Sequence, residues 1–305
     1  VFLLSGGAIT FARLKLEEPV AVLAVRRWDY PPGEVSPGPH GAPVFSPRAF
    51  AEAAAGAAQL CGGKLSRASA VFPDSWSRTI TLDFESLPST RKDRADMVAW
   101  KLKKLLPGRV DDLEISFAEI PGTSGAVRLL VSAFPRETLR SIEAAFAARG
   151  IRIGLLAPAT LALFAGADER LAKAAGGDYL LLHRAPGATS LLIARGGQPL
   201  FYRQKSQLGE AEPEEAAEEV SPAQRLGQEL RLSLSYYSEN LGGGKSLSAL
   251  YLWDEEGDSK PLASAAPLAT EAISAHLLSV DPSFQSAAAV YPEIWPSLAA
   301  TRESA

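Results

Sequence analysis

The sequence is poor in the residues that carry most redox, metal and nucleophilic chemistry. It holds one cysteine, one methionine and three histidines in 305 residues. A single cysteine excludes an intramolecular disulfide framework. Cys61 has no basic neighbour or histidine partner close in sequence, so it reads as a small buried apolar residue near the end of a helix. That usage fits a reducing cytoplasm. His40, His183 and His276 stand far apart in unlike contexts, so none shows metal-ligand spacing, and no Ser–His–acid arrangement is legible. No apolar run approaches the ~20 residues that span a bilayer. No signal-peptide pattern is visible in this chain, which opens on Val1. A net charge of −4 gives no reason to expect nucleic acid as a partner.

What is present is ordinary globular material, 47% apolar and 22% charged, long enough for two domains. Two stretches about 180 residues apart share one pattern. In Phe2–Leu14 and in Tyr179–Ile193 an apolar run leads through a Gly turn with a hydroxyl residue into a second apolar run, a hairpin signature. Each is followed by a further strand candidate, Ala21–Arg26 and Pro199–Arg203. A hairpin unit used twice predicts two similar domains facing each other.

Between them, Trp28–Pro47 is rich in Pro and Gly and reads as a linker. Ser46 and Pro47 read as N-cap and first turn of a helix carrying Phe50, Ala54, Ala57, Ala58 and Cys61. Ala68–Phe72, Arg78–Phe84, Leu113–Phe117, Val127–Phe134 and Ile151–Leu155 read as strands. Thr90–Leu106, Pro135–Arg149 and Pro158–Gly166 read as helices, with Pro107-Gly108 and Gly150 as stops. Ala172–Gly177 is the predicted domain boundary. An acidic run from Glu210 to Glu219 reads as a solvated segment. Ser221-Pro222 opens a helix with Leu226, Leu230, Leu234, Tyr237 and Leu241 on one face, stopped by Gly242–Gly244. A strand, Leu247–Trp253, follows. Trp76 and Trp100 read as core or subdomain-packing residues, with partner anchors as the alternative, and Ser75, Ser77 and Thr79 as strand-edge polar residues.

The ordered set Asp96–Trp100, Leu106-Pro107, Leu113–Phe117, Leu129–Ala133, Gly150–Phe164, Thr189–Phe201 and Glu229–Tyr237 resembles the type IV pilus assembly protein PilM. The cytoplasmic domain of the type II secretion protein GspL shares that fold. The resemblance implies an α/β actin-like ATPase (ribonuclease H-like) fold of two β-sheet domains. It places the first at 1–172, with an inserted subdomain at about 46–117, and the second at 177–305. It also implies a degenerate nucleotide cleft between Gly6, Gly7 and Thr10 on one side and Gly187 and Thr189 on the other. A site of this kind uses two Asp-containing turns and a Gly-Gly loop, with the acids acting on Mg²⁺ or its waters. Here the first turn, Ser5-Gly6-Gly7, has no carboxylate. His183 stands where the second Asp belongs, and imidazole is a poor ligand for Mg²⁺. Asp254-Glu255-Glu256-Gly257 replaces the Gly pair. A lone histidine at a strand end is, on its own terms, more often a hydrogen-bonded structural residue than a ligand.

The expectation is therefore a non-catalytic scaffold without cofactor or metal, peripheral to the inner membrane. The resemblance implies that it binds the cytoplasmic tail of a PilN-like membrane protein and other pilus or secretion platform components. An ATP-binding or ATP-hydrolysing switch is the alternative.

Overall fold

The structure, a computed structural model, describes residues 1–15, 21–106, 109–122, 125–185, 187–206, 222–255, 273 and 275–278. In chain order the first strands are β1 (Phe2–Leu4), β2 (Ala8–Lys15), β3 (Ala21–Asp29), β4 (Val35–Pro37) and β5 (Pro43–Phe45). After them come α1 (Ala51–Leu60), β6 (Arg67–Phe72), β7 (Arg78–Phe84), α2 (Arg91–Leu105), β8 (Leu113–Ile120) and β9 (Val127–Pro135). Next are α3 (Arg136–Ala147), β10 (Arg152–Pro158), α4 (Ala159–Ala175), β11 (Tyr179–Ala185), β12 (Ala188–Arg195) and β13 (Gln198–Ser206). α5 (Pro222–Asn240), β14 (Ala249–Asp254) and β15 (Ala275–Leu277) complete the order.

One five-stranded plan is built twice. β1, β2 and β3 form an antiparallel meander, β6 adds parallel to β1, and β10 adds parallel to β6. β11, β12 and β13 form the second meander, β14 adds parallel to β11, and β15 adds parallel to β14. The orders β10-β6-β1-β2-β3 and β15-β14-β11-β12-β13 correspond strand for strand. Both predicted hairpins are present.

Side-chain alternation explains why β11 is buried on both faces. Leu180 and Leu182 meet Leu226, Leu230 and Tyr237 of α5 on one side. Tyr179 and Leu181 meet Leu163, Phe164, Ala167 and Leu171 of α4 on the other. In the first unit, aromatic rings fill the core: Phe2 contacts Phe11 and Phe146, and Phe50 contacts Phe45 and Phe146. Trp76 is buried there, as expected, and stacks on Phe72.

Several local expectations are corrected. The predicted linker Trp28–Pro47 contains the end of β3 and the β4–β5 hairpin. Trp28 packs so closely on α1 that a Cβ on Gly56 would lie 2.3 Å from its ring. The first of these helices starts at Ala51, not Pro47. Ser46 instead holds the preceding turn, its Oγ accepting from the Arg48 N–H at 3.0 Å and its carbonyl from Ala49 at 3.1 Å. α4 runs to Ala175 rather than stopping at Gly166 and ends on Gly176 in the left-handed conformation at φ 65°. Trp100 is exposed rather than packed.

The separate three-stranded sheet, order β7-β9-β8, spans 78–135 and packs on α2. The segment 46–117 takes in α1, which packs on β2 and β3, and β6, which pairs with β1. The predicted stop Pro107-Gly108, the acidic run Glu210–Glu219, Ser221, and Glu256-Gly257 lie outside the described residues.

Candidate functional site

A chain of buried polar groups crosses the space between the two sheets. Asp74 stands in a single helical turn, Asp74–Trp76, just beyond the carboxyl end of β6. Its Oδ1 accepts from the Thr160 N–H at 3.0 Å, at the start of α4. Its Oδ2 accepts from the Thr160 hydroxyl and, at 2.8 Å, from the Ser190 hydroxyl on β12. Ser190 in turn accepts from the Tyr202 hydroxyl at 3.1 Å. Gln204 of β13 donates to the Asp74 carbonyl at 2.6 Å. β12 and β13 thus reach Asp74 from the second sheet, in the register that pairs Ser190 with Gln204.

His183 completes the bridge. It faces Ser190 across the β11–β12 ladder and is fully buried. Its Nδ1 lies 2.7 Å from the Thr160 hydroxyl oxygen, and its Nε2 lies 3.0 Å from Glu255 Oε1. The Thr160 proton is given to Asp74, so Thr160 accepts from Nδ1–H. Glu255 as a carboxylate accepts from Nε2–H. Two ring N–H donors make His183 an imidazolium.

The electrostatics agree. Burial alone would push the His183 pKa down, but the negative charges of Glu255 and of Asp74, 3.5 Å away, push it up to about 10. Burial would likewise raise Asp74, and the His183 cation 3.5 Å away together with the bonds from Thr160 holds it below the usual carboxylate range. Beside this chain, Arg184 clamps Asp254 through bonds of 3.1 and 2.7 Å.

Above the bridge lies a cavity of about 610 Å³ lined by Gly6, Thr10, Arg27, Gly187 and Glu255, among others. Gly6, Thr10 and Gly187 are therefore brought to one cleft. Gly7 sits beside Gly6 in the first turn, and Thr189 is buried in β12 next to Ser190. The two turns differ in what they require. Gly187 adopts φ 79°, which favours glycine, whereas neither Gly6 nor Gly7 has a positive φ. The first turn is closed by Ser5, whose hydroxyl accepts from the Ala8 N–H at 3.0 Å.

His183 is a hydrogen-bonded structural residue, as expected of a lone histidine at a strand end, and here it is a cation between two acids. Asp74 and Thr160 were missed. Their one sequence signal is position: polar residues after a buried parallel strand and at the start of a helix, where α/β sheets place ligand groups. Ser77 donates to the Asp74 carbonyl at 3.3 Å, and Thr79 bonds Ser132 at 3.2 Å. Among the described residues no group of three or more His, Cys, Asp or Glu could hold a metal ion.

No protein-family model matches the chain, and no curated protein matches it significantly. Solved structures do. The chain is similar to a protein of a PilM–PilN type IV pilus biogenesis complex, at 21% identity and TM-score 0.71, over 99% of this chain and 97% of that one. It is similar to the cytoplasmic domain of EpsL, an inner-membrane component of the type II secretion system of Vibrio cholerae. That match has 14% identity and TM-score 0.54, over 98% and 93% of the two chains. A Bacteroides thetaiotaomicron protein of unknown function with an actin-like ATPase fold matches at 9% identity and TM-score 0.50, over 94% and 93%. The fold is that of the actin-like ATPases. Among the described residues no helix is long and apolar enough to cross a membrane.

Proposed function

We propose that this chain is a non-catalytic cytoplasmic scaffold of a type IV pilus or related secretion platform, held at the inner membrane by the cytoplasmic tail of a PilN-like protein. The observation that carries this reading is the buried bridge. In a nucleotide site of this fold, acidic turns would face a diffusible Mg²⁺. Here the carboxylates of Asp74 and Glu255 are balanced by His183 of the same chain. Glu255 also turns a negative group toward the cavity between Gly6 and Gly187, where phosphates would lie. The resemblance in fold to a PilM–PilN complex supplies the partner class.

The proposed division places one unit at 1–172 and the other at 177–305, around the Gly176 turn. The tail would bind the first unit. A hollow of about 280 Å³ there, of mixed character and lined by His40, Ser75, Trp76, Arg78, Leu106 and Leu113 among others, offers it a seat between the turns at 39–41 and 74–77 and the three-stranded sheet. An extended tail ordered on binding loses entropy, so the affinity should be micromolar in order of magnitude. Calorimetry with tail peptides of candidate membrane partners tests this. Binding that is lost in Leu106→Asp supports it, and a set of tails that all fail to bind refutes it.

A second reading, an ATP-responsive switch, is favoured by the size of the larger cavity, which falls within the ~300–1,000 Å³ typical of small-molecule sites. ATP with Mg²⁺ at ~100 times its dissociation constant would add roughly 2.7 kcal/mol of stability. A thermal shift of that size would replace the scaffold reading, whereas unchanged melting at millimolar ATP supports it.

A further inference from the structure

One row of side chains crosses four strands of the first sheet and forms the floor of the larger cavity. Val71 of β6 stands opposite Leu3 of β1, Leu3 opposite Thr10 of β2, and Thr10 opposite Arg27 of β3. Residues paired in this way point to the same face of a sheet. All four line the cavity of about 610 Å³, so its floor grades from apolar through a hydroxyl to a guanidinium. Trp76 adds an aromatic wall, and Glu255 brings a carboxylate from the second half of the chain. Thr10 is only 3% exposed, yet its hydroxyl has no hydrogen-bond partner among the described residues. Burying a hydroxyl without a partner is costly, and a ligand in the cavity would supply the missing bond.

We propose that this cavity binds a small zwitterion with an apolar body, an α-amino acid or a dipeptide. Its carboxylate would lie on Thr10 and Arg27, its ammonium on Glu255, and its side chain against Val71, Leu3 and Trp76. Charge selects this class. Around Glu255 three acids, Asp74, Asp254 and Glu255, meet two cations, His183 and Arg184. Arg27 on the first sheet supplies the third cation, so the lining carries one uncancelled charge of each sign. A polyphosphate would suit Arg27 and be repelled by Glu255; a plain amine would meet the reverse. Both charged groups have capacity to spare. Arg27 has contacts within the protein, and its five N–H donors serve more than one acceptor. Glu255 accepts from His183 through Oε1 alone, and a carboxylate offers about four acceptor positions. The apolar end of the floor and the Trp76 ring would leave water when a side chain covers them. The site owes nothing to the tail seat, so zwitterion binding and tail binding succeed or fail independently.

Calorimetry of the full chain with phenylalanine and with leucyl-phenylalanine tests it, and the tighter of the two fixes the ligand's length. N-acetylated and C-amidated forms of each remove one charge at a time. Each capped form should bind roughly tenfold or more weakly than its parent, since a charge-assisted contact is lost. Thr10→Val keeps the side-chain shape and removes the hydroxyl. It should weaken both parents several-fold while the circular dichroism stays that of wild type, because no partner in the protein is orphaned. Glu255→Gln should abolish the penalty of N-acetylation, so that parent and acetylated forms bind alike. Failure of both zwitterions to bind at millimolar concentration overturns the proposal. So does an acetylated form that binds wild type as tightly as its parent, or a Thr10→Val variant that binds like wild type. ATP that binds where both zwitterions fail would overturn it as well and make the cavity the phosphate site of the switch reading.

Discussion

Replacing His183 by Leu should cost the protein a large part of its stability, with a distinctive pH dependence. The substitution nearly preserves volume but removes the positive charge that lies 3.5 Å from Asp74 and 3.0 Å from Glu255 in the bridge. Asp74 then stays buried as an anion, and the Thr160 oxygen loses its donor. Breaking one partner of a buried ionic set costs about 3–5 kcal/mol. Linkage gives the same scale. A histidine at 6.5 unfolded and about 10 folded carries on the order of 5 kcal/mol at 1.36 kcal/mol per unit. The sign follows from the raised pKa. The contribution is complete below about pH 6.5 and is lost as pH rises through about 10. The depressed Asp74 acts oppositely: its contribution is present above the ordinary carboxylate pKa and is lost as pH falls through its lowered value. Urea unfolding of both proteins at neutral pH and near pH 10 isolates the His183 contribution, because other alkaline titrations occur in both. The gap between wild type and variant should be several kcal/mol at neutral pH and should shrink at alkaline pH. A gap below about 1 kcal/mol, or one independent of pH, would refute the imidazolium bridge.

Gly56→Ala should destabilise by about 1–3 kcal/mol, since its Cβ would meet the Trp28 ring at 2.3 Å; denaturant melts with an unchanged slope would show it. Thr90→Ala should cost about 1 kcal/mol by removing the cap that accepts from the Asp93 N–H at 3.1 Å, read in the same melts. Gly187→Ala should cost roughly 1–2 kcal/mol because φ is 79°, while Gly6→Ala, with open space around its Cβ position, should stay within about 0.5 kcal/mol; thermal melting of the pair distinguishes them.

The repeated hairpins were legible because they are local: alternation and a turn suffice to specify them, and the packing of α4 and α5 on opposite faces of β11 only reinforces that signal. The α4 helix was misread for the opposite reason. Gly166 looks like a stop, and a glycine inside a helix costs ~1 kcal/mol relative to alanine. The packing of Ala167 and Leu171 on the second sheet offsets that cost, but it depends on strands that come later in the chain. The β4–β5 hairpin hid inside Pro- and Gly-rich sequence because each strand is three residues long, and the tie that closes it, the Ser46 hydroxyl on Glu34, is not a periodic feature. Trp100 was misread because the period of α2 separates its buried residues from the rest without saying that a tryptophan would stand on the outer face.

The bridge was half legible, and the missing half decides its chemistry. From the sequence, His183 stands at a place where the resemblance calls for an acid. Its buried acidic neighbour Asp74 lies 109 positions away in a turn with no repeat to mark it. Each acid alone would be expensive to bury, and so would the imidazole as a cation. Together they form a set in which Asp74 accepts three donors, His183 donates twice and Glu255 accepts at the cavity wall. Asp74 and Thr160 belong to the first half of the chain and His183, Ser190 and Glu255 to the second, so the charge balance exists only while the halves are apposed. A diffusible cation between two acids would make that apposition depend on ligand concentration. A cation fixed on β11 makes it depend on pH and on the fold itself, as suits a cleft that holds its two halves in one arrangement.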